Sequence, residues 1–168
     1  MALKTFSAGE VLTASDTNAY LVNSVIQVQN DPATPRTVFT TTSFADVTGL
    51  AVTITPKATT SKILVIASGL FSVQTSGATG RLNLVRDSTN IAQSTGSVTA
   101  DQSFAFTASA ASDSAGFCIM WLDSPASTSS LTYKVQGACT SGNAAVGGYG
   151  GVTSYYSSTN ITAIEIQQ

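Results

Sequence analysis

From Arg36 onward, apolar residues alternate with Ser and Thr over much of the chain, and no other feature limits the possible folds as much. In VTGLAVTIT, Leu50, Val52 and Ile54 fall on one side while Ala51, Thr53 and Thr55 fall on the other. A period of two is the period of a pleated strand with one face in a core and the other in water. Thr37–Thr42, Val47–Thr55, Lys62–Val73, Arg81–Arg86, Ile91–Ser94, Ser103–Ser109, Phe117–Leu122, Leu131–Cys139, Ser154–Ser158 and Ile161–Ile166 all read as strands between turn residues. Within them Phe104, Phe106, Leu131, Tyr133 and Val135 are expected to point inward. Turns at this spacing predict an all-β domain, a two-sheet β-sandwich or jelly roll.

Two strands depart from simple alternation. Ile63–Ile66 in KILVIASGLFSV and Phe117–Leu122 (FCIMWL) are apolar on both faces. One face fills the core, and the other needs a cover, either a neighbouring subunit or a helix or loop of the same chain. The subunit reading selects Leu64, Ile66, Phe117, Ile119 and Trp121 as interface residues.

Residues 1–30 have a different texture. Phe6 to Leu12 reads as an extended arm, and Thr13 or Ser15 can cap a helix, with Asp16 making an imperfect capping box. Leu21, Val22, Val25, Ile26 and Val28 then fall near one stripe, which predicts an amphipathic helix. Asn30-Asp31-Pro32 and Pro35 are expected to stop it and form a linker. So short a helix is marginal alone and must pack on something. The chain divides accordingly into residues 1–30, an arm and helix, and residues 31–168, the sandwich.

The sequence is poor in groups that carry chemistry. It contains no histidine, which removes Ser/His/Asp and Cys/His nucleophilic systems and the usual His-containing zinc sites. Glu10 and Glu165 lie at opposite ends, and Asp87, Asp101, Asp113 and Asp123 read as turn residues bonding local backbone, so no paired acids for glycoside hydrolysis stand out. No calcium-loop spacing is present. The glycine-rich run 142–151 lacks the order of a phosphate loop and reads as a surface loop. Tyr149, Tyr155 and Tyr156 lie in and after it; as exposed rings they would offer a contact for sugars or protein, and as strand residues one ring would be buried. Cys118 and Cys139 read as small buried hydrophobes, with a cross-strand disulfide as the alternative. The reading is therefore a non-enzymatic protein without cofactor or metal.

Charge narrows the partners. Asp, Glu, Lys and Arg make up 10% of the chain, with a net charge of −2, where roughly 25% is usual. The basic residues do not cluster, so a nucleic-acid site is not expected. No apolar run approaches a membrane span, and no basic-then-apolar leader opens the chain, which is expected to stay where it is made. So weakly charged a surface fits a chain packed against its own copies or within a large assembly.

Two stretches carry a family resemblance. Phe6, Gly9, Val11, Leu12, Thr13, Ala14, Ser15, Asp16, Asn18, Tyr20 and Leu21 resemble the N-terminus of many phage tail-fibre and minor tail proteins. Further on, the stretch from Gly49 to Pro56, Ser61-Lys62-Ile63-Leu64-Val65, Leu84-Val85-Arg86-Asp87, Leu122-Asp123-Ser124-Pro125, Tyr133-Lys134-Val135-Gln136 and Ile164-Glu165-Ile166 follow in an order similar to a β-domain of phage virion proteins, including those of cyanophages. That domain is similar in pattern to trimeric C1q- or TNF-like jelly rolls. The resemblance implies a homotrimer in a virion, assembled in the host cytoplasm with other virion proteins. It implies docking through Phe6, Val11, Leu12, Tyr20, Leu21 and Val25. A tail-fibre or appendage knob contacting a host glycan or protein, a capsid decoration protein stabilising the head, and a lectin-like module all fit this pattern.

Overall fold

The computed structural model describes residues 7–11, 13, 25–32, 36–93, 102–148 and 156–167. These form β1 (Val25–Pro32), β2 (Thr37–Phe39), β3 (Ala45–Ile54), β4 (Lys62–Val73), β5 (Thr79–Arg86), β6 (Thr89–Asn90), β7 (Phe104–Thr107), β8 (Asp113–Asp123), β9 (Leu131–Cys139), β10 (Ala144–Val146) and β11 (Asn160–Ile166). No helix occurs among the described residues.

The strands make two antiparallel sheets facing each other, an all-β sandwich. In sheet I, β4 is central. It pairs with β8 on one side along Ile63–Val73, and on the other with β11 and then β10. β1 lies beyond β11, and β2 lies beyond β10. In sheet II the order is β3, β9, β5, with β6 and β7 sharing the far side of β5. Alternation drives this arrangement. Ile63, Val65 and Ala67 of β4 point inward and are buried, as do Leu50, Val52 and Ile54 of β3 and Leu131, Tyr133 and Val135 of β9.

Two predicted elements differ. Val25–Pro32, whose first half falls on the apolar stripe assigned to a helix and whose last residues were assigned to a linker, is instead a strand paired along its length with β11. VIQVQN satisfies both a helical and an alternating reading, and the pairing with β11 decides. The rest of the expected helix and its caps, except Thr13, lie outside the described residues. β1 also runs across the expected boundary at residue 30. Within the glycine-rich run, Ala144–Val146 is a fully buried strand between β4 and β2 rather than surface loop.

Close contact between the sheets rests on glycine beneath aromatic rings. Phe71 of β4 is fully buried, and a Cβ added at Gly80 of β5 would lie 2.5 Å from two of its ring carbons and 2.8 Å from Val73 Cγ2. Gly137 of β9 sits the same way beneath Phe39, 2.6 Å from two ring carbons. Neither ring has room to retreat, because interiors are close-packed. Gly80→Ala is therefore expected to destabilise the fold by about 1–3 kcal/mol, read as a lower urea midpoint with unchanged slope. A midpoint equal to wild type would show that Phe71 can shift.

Candidate interaction surface

The two sheets present different outer faces. Sheet II is polar outside: Lys134 Nζ bonds Asp46 Oδ2 at 2.8 Å, Gln136 Nε2 bonds Asp46 Oδ1 at 2.7 Å, and Arg81 Nη2 bonds the Thr42 carbonyl at 2.9 Å. The bond from Lys134 holds the Asp46 carboxyl below the usual aspartate range.

Sheet I is apolar outside along β4 and β8, while Asn30 and Thr162 continue the Ile66 row and Asn160 the Ser68 row. Register places Val28, Ile164, Leu64 and Leu122 in one row across β1, β11, β4 and β8. Ile66 and Met120 stand side by side in the next row, and Ser68 and Cys118 follow. Met120, Leu122 and Val28 are 64%, 53% and 54% exposed, while Leu64, Ile66 and Ile164 are half-buried by one another. These rows contain no ionisable group between Lys62 and the Cys118 thiol.

The structure sorts the residues expected from the sequence. Leu64 and Ile66 lie on this outer face, as the interface reading requires. Phe117 and Ile119 do not: they are 3% and 5% exposed and belong to the chain's own core. A strand apolar on both faces leaves its parity open, and β8 turns Cys118, Met120 and Leu122 outward instead. Trp121 shares the inward parity of Phe117 yet is 40% exposed, since it sits at the rim of the core. Val11 and Val25 are exposed; Phe6, Leu12, Tyr20 and Leu21 lie outside the described residues. Tyr156 is exposed beside Gly148, and Tyr149 and Tyr155 also lie outside the described residues. Cys139 is buried as expected, whereas Cys118 is exposed; both are free thiols on different sheets.

Two buried acids escaped the sequence reading. Asp123 follows Phe117, Ile119 and Trp121 at the next inward position of β8. Its Oδ2 accepts from Arg86 Nη1 at 2.6 Å and from the Tyr133 hydroxyl at 2.7 Å, tying sheet I to sheet II. Burial, reinforced by the bond to Asp123, pushes the Tyr133 hydroxyl far above its ordinary pKa. The signal was Tyr133 itself, because an inward tyrosine needs a partner for its hydroxyl. Glu165 is the inward residue after Ile161 and Ala163 on β11, and it is fully buried. It accepts from Gln27 Nε2 at 2.6 Å and from the Lys57 backbone N–H at 2.6 Å. Burial alone would raise its pKa, but the donors around it prevail and hold it below the ordinary glutamate value.

Asp123 and Glu165 flank Ile63 on one row of sheet I. Paired acids in glycoside hydrolysis face each other across a cleft and exchange protons with substrate and water. These two are buried, with both Glu165 oxygens and Asp123 Oδ2 already engaged, which suits a clamp at the end of the core. Asp113 does behave as a turn acid, accepting from the Ser109 and Ala110 N–H groups and the Ser109 hydroxyl. Asp87 binds the Thr132 N–H, and Asp101 lies outside the described residues. No group of three or more metal-ligating side chains occurs among the described residues. Comparison with protein-family models and with curated proteins finds no match to the chain.

Proposed function

We propose that this chain is a non-enzymatic structural component of a bacteriophage particle. In this reading it is a jelly roll that self-associates as a homotrimer through the outer face of sheet I and is held on the particle by its N-terminal segment. The observation that carries self-association is the contrast between the two outer faces. Four strands at about 4.8 Å and six or seven residues at about 3.3 Å give the whole outer face roughly 400 Å² in plan. That is about half of the ~800 Å² each partner contributes to a standard interface, so the apolar rows form the centre of a contact rather than all of it.

The jelly-roll reading draws support from nested pairing. β1 pairs with β11, β3 with β9, β4 with β8 and β5 with β7, first with last inward to the middle. Such nesting is what a long hairpin rolled into two Greek keys would give. The phage reading and the copy number of three rest on the family resemblance described above.

Dilute protein is expected to have the mass of three chains of 17.1 kDa. Ile66→Asp puts a charge at the centre of the face and should yield single, folded chains that no longer add to particles lacking the protein. Single chains for wild type would remove the self-association reading. Full incorporation of a monomeric Ile66→Asp chain would separate docking from assembly.

A further inference from the structure

Edge strands expose a row of unpaired N–H and C=O groups, and natural sheets blunt them with bulges, prolines, charges or shortness. Among the described strands, every edge but one is blunted. β1 shifts register between Val25 and Gln27 and ends in Asp31 and Pro32. β3 shifts between Asp46 and Ala51. β2, β6 and β7 have three, two and four residues.

β8 is the exception. It runs 11 residues in unbroken register with β4 and pairs with no other described strand. It holds no proline, and no Asp, Glu, Lys or Arg between Asp113 and Asp123. Met120, Trp121 and Leu122 are exposed in succession although they point to alternate faces, so the strand is bare from its side.

We infer that β8 pairs antiparallel with β8 of a second copy about a twofold axis. The contact goes beyond the outer-face association proposed above, because it uses the side of the strand rather than its face. The partner follows by elimination: the long bare edge that another copy offers is again β8, and a surface that meets itself does so with twofold symmetry.

Charge excludes one register, and the most exposed large apolar residue of the strand, Met120, gives the centre. An overlap centred on Cys118 would set Asp113 opposite Asp123 of the second copy. Centring on Met120 leaves Asp113 outside and sets Asp123 opposite Phe117. Met120 then meets Met120 and Leu122 meets Cys118 on the outer face, while Trp121 meets Ile119 on the inner. The overlap of Phe117–Asp123 is short and falls in the weak class of interfaces, below about 1,200 Å². It should therefore form as the protein is concentrated.

The test is mass by sedimentation equilibrium against concentration, with hydrogen exchange followed along β8 in the same samples. Mass is expected to double on concentrating, and the β8 amides directed away from β4 should become protected in step. Trp121→Lys charges the edge while leaving the outer face alone, and should hold the protein at its dilute mass. Absence of doubling in wild type would overturn the inference, and so would doubling that persists in Trp121→Lys. If that variant fails to fold, wild type alone decides: outward β8 amides that still exchange freely in the doubled species overturn it. Ile66→Asp separates the two contacts, since loss of the face leaves single chains that double to pairs through β8.

Discussion

Replacing Asp123 with alanine is expected to cost this fold about 3 kcal/mol, read from urea unfolding at neutral pH. The Asp123 side chain is 9% exposed and its Oδ2 receives both the Arg86 guanidinium and the Tyr133 hydroxyl. Removing one member of a buried pair strands the other charge, and such losses run to about 3–5 kcal/mol. The lower end applies because the Arg86 side chain is 24% exposed and regains some water. Tyr133→Phe removes one hydrogen bond and should cost about 1 kcal/mol. The two changes share a partner, so their effects should not add. An Asp123→Ala loss under about 1 kcal/mol would mean that Arg86 finds water as good a partner.

Glu165→Ala is expected to cost about 1–3 kcal/mol, because it leaves the Lys57 N–H without its acceptor and Gln27 Nε2 with the Thr55 carbonyl alone. Glu165→Gln keeps one oxygen and should cost less. The two also differ from wild type in acid. The Glu165 carboxyl is held below its ordinary value of 4.5. A group depressed in this way contributes stability that is present above the unfolded pKa and lost as pH falls through the folded one. Wild-type stability should therefore fall below pH 4.5 more steeply than that of Glu165→Gln. Parallel curves for the two proteins would show that another carboxylate governs acid unfolding. Asp46 and Asp113 are depressed in the same direction but are screened by solvent.

Long alternating segments were legible in the sequence. Lys62–Val73 and Leu131–Cys139 have the bounds expected of them, and the inward sets of β3 and β9 follow from parity. What was not legible depends on partners distant in the chain. Val25–Pro32 is a strand because β11 pairs with it. Ala144–Val146 is buried because β4 and β2 close around it, although nothing in AAV between glycines announces a strand. FCIMWL was recognised as apolar on both faces, but which parity faces out was not encoded locally. The Asp123 and Glu165 clamps looked like a loop acid and a terminal acid, since each becomes meaningful only when the sheets meet. The same limit applies to the outer face of sheet I, where Leu64 and Ile66 were identified but Val28, Met120, Leu122 and Ile164 required the register.

The position of β11 has a consequence for how the protein folds. It lies between β4 and β1 in sheet I, with Ile164 paired to both Leu64 and Val28, residues far from it in the chain. β1 therefore gains its partner, and β4 its second neighbour, only when distant segments meet. Contacts of such high sequence separation close slowly. The hairpin-like pairings within sheet II span shorter stretches of chain, so sheet I is expected to be the later of the two to complete.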